Sequence, residues 1–263
     1  MESNEIKEIV KKKYGEIAVN NSSCCCSCSC DEDSKQSAAK TSQNIGYSKD
    51  DIDEVPEGSN LGLGCGNPVA LSSIKEGDVV LDLGSGAGFD CFLVAKKVGA
   101  NGKVIGVDMT EEMLEKAREN AVKGNYNNVE FRMGEMENLP VEDNSIDKII
   151  SNCVINLSPD KEQSFKEAYR VLKNGGKIYV SDIVLTEELP SEIKNSMEHY
   201  AGCVAGAMLM DDYLKTIEKT GFKKIEILEE KTFPATAIKE AGQCSCHSKA
   251  LDCIKSINVT ATK

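Results

Sequence analysis

The stretch Val79-Val80-Leu81-Asp82-Leu83-Gly84-Ser85-Gly86-Ala87-Gly88-Phe89-Asp90 decides the fold. Its apolar run is too short for a buried helix, is rich in branched side chains, and ends in an acid before breaking into alternating glycines. Helix-spaced apolar positions follow over residues 89–98, so the pattern predicts strand, tight turn and helix. Glycines let a backbone approach a ligand where a Cβ would collide. The helix that follows presents unpaired N–H groups and the positive end of its dipole. Together these features describe a nucleotide cradle.

Outward from this turn, strand and helix patterns alternate: strands over 104–108, 129–133, 147–151 and 177–183, helices over 111–122 and 161–172. Such alternation predicts right-handed βαβ units and a mostly parallel sheet with helices on both faces. Thr110 ahead of Glu111 and Glu112, Ser158 ahead of Pro159, and Asn174-Gly175-Gly176 read as two helix starts and a helix stop. Beyond 183 the sequence predicts a helical segment over 188–210 that carries Cys203, a helix over 211–220, an alternating strand over 222–228 and a last strand near 257–260. Upstream, apolar positions over 4–19 predict an amphipathic helix. Residues 20–44 are nearly devoid of large apolar side chains and read as a flexible arm. Ser48 caps a short acidic helix before Pro56. The loop over 60–68 surrounds Cys65 with glycines, as a backbone folded closely over something would. Three divisions result: an N-terminal helix and cysteine-rich arm (1–46), a ligand-binding domain that includes the Cys65 loop (47–185), and a C-terminal segment (186–263).

The formal net charge of −12 over 263 residues argues against nucleic-acid partners, which require clustered Lys and Arg. No apolar run is long enough to span a bilayer and the charged first residues lack a signal core, so a cytoplasmic chain with no membrane partner is expected. Twelve cysteines stand beside only two histidines. In a reducing compartment this usage points to thiol chemistry rather than to disulfides or imidazole acid–base catalysis.

Ligands in open parallel sheets lie at the carboxyl ends of the strands. Asp108 closes the second strand about 20 residues past the glycines, where a carboxylate accepts both hydroxyls of a ribose. The Asp82-x-Gly84-x-Gly86-x-Gly88 spacing is more compact than the dinucleotide pattern and resembles the turn of class I S-adenosylmethionine methyltransferases. That resemblance implies a Rossmann-like seven-stranded fold and a donor site built from Asp82, Gly84, Ser85, Gly86, Gly88, Asp108, Met109 and Asn152. It also implies that Glu135 contacts the adenine amino group.

Cys153 follows the fourth strand, next to the first, and would face the donor methyl. Cys65 and Cys203 lie in segments able to cover the same edge. Each alone reads as a small buried hydrophobe. Three thiolates beside a methyl donor with no evident general base suit a soft, thiophilic acceptor. Gly-Cys-Gly-Asn-Pro at 64–68, Val-Asp-Met-Thr at 107–110, Ser-Asn-Cys-Val-Ile-Asn-Leu-Ser-Pro-Asp-Lys at 151–161 and Gly-Cys-Val-Ala-Gly-Ala at 202–207 closely resemble the arsenite S-adenosylmethionine methyltransferases, over residues 47–228.

The resemblance implies that Cys65, Cys153 and Cys203 bind As(III), whose lone pair attacks the sulfonium methyl to give mono- and dimethylated arsenicals. It requires no metal cofactor, since arsenic is the substrate. It further implies a thiol reductant such as thioredoxin or glutathione, and a redox cysteine upstream, for which Cys30 is the nearest candidate. A monomer is expected. The tract Cys24, Cys25, Cys26, Cys28, Cys30 and the Cys244-Ser245-Cys246-His247 run could instead scavenge As(III), hold zinc, or do neither. Three rival readings stand beside this one: a methyltransferase for a small organic acceptor, a soft-metal-binding protein on the same fold, and a nicotinamide-dependent oxidoreductase, which the glycine spacing disfavours.

Overall fold

The computed structural model describes residues 3–20, 31–188, 204, 206–232 and 253–263. Its centre is one sheet in the order β3-β2-β1-β4-β5-β8-β7. Here β1 is Val79–Leu83, β2 Lys103–Asp108, β3 Val129–Met133, β4 Ile146–Asn152 and β5 Leu172–Leu185. A two-residue β6 (Met208–Leu209) pairs with the end of β5, and β7 (Lys223–Thr232) and β8 (Ile254–Thr262) complete the sheet. The first five strands pair in parallel, whereas β8 runs antiparallel between β5 and β7. The expected seven-stranded path is present, and β6 brings the strands to eight.

Both faces of β1 are buried, as a parallel sheet covered by helices requires. Leu81 and Leu83 face a core completed by Phe165 and Tyr213, while Val80 faces one built with Phe92, Val94 and Leu114. Phe165 lies on α7 (Lys161–Val171) and Tyr213 on α8 (Met210–Lys219). Phe92 and Leu114 lie on α5 (Phe89–Val98) and α6 (Glu111–Lys123). Because β4 follows β1 in the sheet but not in the chain, the strand order reverses beside β1, and a cleft opens at the carboxyl ends of β1 and β4.

The N-terminal helix α1 (Ser3–Asn20) buries Ile6, Val10, Ile17 and Ala18. Lys116 of α6 donates to the Ala18 carbonyl at 3.1 Å, which satisfies one of the exposed acceptors at the end of α1. The short α3 (Lys49–Asp53) has the expected Ser48 cap, completed as a capping box by Asp51. Next comes α4 (Pro68–Leu71), whose Asn67 cap accepts the Ala70 N–H at 2.9 Å.

Four expectations are corrected. Residues from Asp31 to Asn44 form a helix, α2, rather than part of a flexible arm. The start of α7 is capped by Asp160, which accepts the Gln163 N–H at 2.9 Å, so neither Ser158 nor Pro159 starts it. Its stop comes at Val171, and Asn174-Gly175-Gly176 lie inside β5, where pairing slips from Ile146↔Leu172 to Lys148↔Lys177. Gly175 takes φ +80° in that bulge. Met208 and Leu209 are strand rather than helix. The rest of the helix expected over 188–210 lies mostly outside the described residues. No helix among the described residues is long and apolar enough to cross a membrane.

Candidate active site

The glycine turn leaves β1 through left-handed positions, with φ +67° at Gly84, +51° at Gly86 and +92° at Gly88. A Cβ on Gly84 would stand 2.4 Å from Val154, so the turn packs directly against that side chain. Asp108 locks it from β2: its carboxylate accepts the Gly86 N–H at 2.9 Å and the Thr110 N–H at 2.9 Å. Gly88 ends the turn as the N-cap of α5, where a Cβ would collide with Phe92 and Phe131.

Asp82, Gly84, Ser85, Gly86, Asp108 and Met109 line one cleft, together with Asn152 and Cys153. Gly88 does not line it and acts by shaping the helix start. Glu135 also stays off the wall: it is held by Lys7 of α1 at 2.7 Å and Lys11 at 3.7 Å, which depresses its carboxyl below the usual range. Its neighbour Glu137 takes the wall position instead, accepting from Ser158 at 2.6 Å and pairing with Lys7 at 3.2 Å.

Three carboxylates face this cleft, those of Asp82 and Asp90 buried and that of Asp108 half-buried. Burial, then the neighbouring Asp90 charge, pushes Asp82 well above its ordinary range, while the Cys91 thiol donates to it at 3.2 Å. Burial lifts Asp90 to about 6, against hydrogen bonds from Tyr47 (2.6 Å) and Asn152 (3.2 Å). Asp108 is raised by burial too, and its backbone N–H donors oppose the rise. Such a wall favours a cationic occupant. The buried Ser85 hydroxyl in the same turn has no hydrogen-bond partner, an orphan that a polar ligand would satisfy. A ligand carrying an ammonium, a sulfonium and ribose hydroxyls fits these residues.

Behind the cleft, Cys65, Cys153 and Asp182 offer ligand atoms all within 4.8 Å of one another, and all three residues are buried. Cys153 follows β4 in a left-handed conformation, φ +59°, and its N–H donates to the Ser181 carbonyl at 2.7 Å. Non-glycine residues avoid this region unless their surroundings impose it, and such strain gathers at functional positions. Cys65 is held by its own N–H on Asn152 Oδ1 (3.1 Å) and by Ser256, which donates to its carbonyl at 2.7 Å. Its flanking glycines are required: a Cβ at Gly64 would lie 2.7 Å from Asn152 Nδ2, and one at Gly66 2.6 Å from Ser181 Oγ. Ser181 itself donates to Asn258 Oδ1.

Asp182 accepts from Tyr213 at 2.9 Å and Asn156 at 3.1 Å, and burial lifts it to about 7. Two thiols and a carboxylate in an apolar setting can hold a soft, thiophilic atom. Cys203 and Cys30 lie outside the described residues, as do Cys24, Cys25, Cys26, Cys28, Cys244, Cys246 and His247. Val204, next to Cys203, is buried in the apolar cluster that contains Cys65 and Cys153. Sequence reading missed Asp182, Glu137 and the pair Tyr47–Asp90. Only Asp90 carried a local signal, as the acid in the first turn of α5.

A methyltransferase-domain family model matches residues 74–225. An arsenite methyltransferase of Halobacterium salinarum is 46% identical over 229 residues, covering 85% of this chain and 59% of the relative. The human arsenite methyltransferase is 39% identical over 168 residues, 60% of this chain and 44% of that protein. The chain thus spans about three-fifths or less of these relatives' lengths. The crystal structure of an arsenic(III) S-adenosylmethionine methyltransferase from Chlamydomonas reinhardtii superposes with a TM-score of 0.67 at 33% identity, over 86% of this chain and 73% of that one. The family model and the 33%-identical arsenic(III) methyltransferase structure, of which the chain covers 73%, agree with these relatives: the chain belongs to the arsenite S-adenosylmethionine methyltransferase family.

Proposed function

We propose that this chain methylates trivalent arsenic, with S-adenosylmethionine as donor, to mono- and dimethylated products. The observation that carries the reading is the placement of Cys65 and Cys153, with ligand atoms within 4.8 Å of each other, where Cys153 forms part of the donor-cleft wall. The donor supplies an electrophilic methyl group and leaves as a neutral thioether. Asp82 and Asp90 offset its positive charge, Asp108 takes the ribose hydroxyls, and the unpaired Ser85 hydroxyl meets its polar edge. Cys65 and Cys153, joined by Cys203, bind As(III) as thiolates and aim its lone pair along the cleft. Arsenic brings its own electron pair, so no side chain removes a proton from the attacking atom, and catalysis reduces to holding two reactants in line.

Methyl transfer takes arsenic formally from +3 to +5. Two thiolates return two electrons and become a disulfide, which an external dithiol such as thioredoxin, or glutathione, reduces. Cys30 is the upstream candidate for that exchange. The test is incubation with arsenite, S-adenosylmethionine and a thiol reductant, followed by arsenic speciation. Methylated arsenic is expected. Stoichiometric As(III) binding without donor consumption would instead identify a soft-metal-binding protein, and donor turnover that ignores arsenite a methyltransferase of another acceptor.

A further inference from the structure

Asn152 ends β4 between the two halves of the site, and both polar atoms of its side chain are engaged by the protein. Oδ1 accepts the Cys65 N–H at 3.1 Å. Nδ2 faces the Gly66 carbonyl and the Tyr47 hydroxyl, each at 2.9 Å, and Asp90 Oδ2 at 3.2 Å. Tyr47 closes the ring by donating to Asp90 Oδ1 at 2.6 Å. Tyr47, Asp90 and Asn152 all line the cleft. One amide therefore touches the cleft acid on one side and the backbone on both sides of the Cys65 side chain on the other. The fit is tight, because a Cβ on Gly64 would stand 2.7 Å from Nδ2.

We propose that Asn152 is a positioning residue that ties the Cys65 loop to the donor cleft, so that occupancy of the cleft and the aim of the Cys65 thiol are linked. A cationic ligand beside Asp90 keeps that carboxylate ionised and its hydrogen bonds to Asn152 and Tyr47 strong. The strengthened bonds hold the amide, and the amide holds Cys65 N–H and Gly66 C=O. The linkage is reciprocal, so a thiol ligand that fixes Cys65 favours the occupied cleft by the same factor. This assignment rests on reading the cleft as the donor site. It gives the Asn152 side chain a different task from the donor contact that resemblance implies.

The test measures alkylation of each cysteine by iodoacetamide on the full chain, resolved by peptide mass spectrometry, with and without S-adenosylmethionine. Wild-type Cys65 should label slowly, and more slowly with S-adenosylmethionine present. In Asn152→Ala its rate should rise at least tenfold and lose its dependence on that ligand, while Cys91, buried behind Asp82, keeps its wild-type rate. A Cys65 rate within twofold of wild type, or a wild-type rate that the ligand does not change, overturns the proposal. If Cys91 labels faster too, Asn152→Ala has loosened the whole fold, and Tyr47→Phe decides. That variant keeps the ring on Phe89 but removes the hydroxyl between Asn152 and Asp90. A threefold or greater rise at Cys65 supports the link, and no rise overturns it. The labelling uses no arsenic, so failure to methylate arsenite is a separate result.

Discussion

The Cys65 thiol and the Cys153 amide converge on one atom: the Ser181 carbonyl oxygen accepts Cys65 Sγ at 3.5 Å and the Cys153 N–H at 2.7 Å. A single residue of β5 thereby sets the separation of two thiols that lie 88 positions apart in sequence, the difference between residues 153 and 65. A serine hydroxyl at either position is close to the thiol in size and can keep the donor role that Cys65 Sγ has toward the Ser181 carbonyl.

Replacing either sulfur by oxygen should therefore spare the fold and remove a soft ligand. Cys65→Ser and Cys153→Ser are each expected to cost about 1 kcal/mol or less in stability, and roughly a hundredfold or more in kcat/KM for arsenite. Thermal melting and arsenic speciation measure the two effects on one sample. Full activity in Cys153→Ser would remove the thiolate site.

The glycine turn yields a backbone prediction. Gly84 combines φ +67° with a would-be Cβ 2.4 Å from Val154. Gly84→Ala should lose roughly 2–4 kcal/mol, the sum of a left-handed residue and an overpacked contact. Adding Val154→Ala should recover part of the loss, since it opens the space but leaves the backbone strained. Urea midpoints of the two variants separate the terms; identical midpoints would mean that the contact costs nothing.

What could be read from sequence was local. The acid, the alternating glycines and the helix after them constrain one another over a dozen residues, and Asp108 sits at a distance fixed by one βα unit. Cys65 and Cys153 were recognisable from their surrounding motifs, although no sequence spacing says that their ligand atoms lie within 4.8 Å. Asp182 and Tyr213 escaped notice because each looks like an ordinary strand or helix residue until β5 and α8 pack. The ion pair on Glu135 was hidden for a related reason: nothing local shows that α1 returns across the chain to bring Lys7 onto it. The helix α2 was hidden by a polar composition that carries no apolar stripe.

Asp90 gives a pH signature. Burial raises it in the folded chain from an ordinary 3.8 to about 6, so the folded state binds its proton more tightly than the unfolded state does. Its contribution to stability is therefore intact below about pH 4 and is lost as pH climbs through 6, by roughly 3 kcal/mol for a shift of about two units. A cationic donor reverses this preference and must expel the proton to bind. Donor affinity should fall as pH drops below 6, by up to about tenfold per unit, with proton release on binding. Calorimetry in buffers of different ionisation enthalpy reads both, and Asp90→Asn should flatten the profile. A pH-independent affinity between 5 and 7 would show that Asp90 does not face the bound charge.

The helix α1 forms part of the cleft wall through Lys7, Val10 and Tyr14, and Lys7 is its latch. The ammonium pairs with Glu135 at 2.7 Å and Glu137 at 3.2 Å, with only 15% of the side chain exposed. Burial opposes its charge, but the two carboxylates prevail and hold its pKa above the ordinary value. Val10 and Tyr14, one and two turns further along α1, line the cleft beside it. Releasing Lys7 should therefore let the apolar wall swing away, which links an ion pair to ligand affinity. Lys7→Met keeps the stem and removes the charge, leaving two neighbouring carboxylates to repel each other. A shielded pair of this kind is worth about 1 kcal/mol, so the affinity for S-adenosylhomocysteine should weaken by roughly fivefold, with faster tryptic cleavage within α1. High salt should weaken the wild type towards the variant and leave the variant unchanged. Equal affinities at low salt would mean that α1 covers the cleft without holding what lies in it.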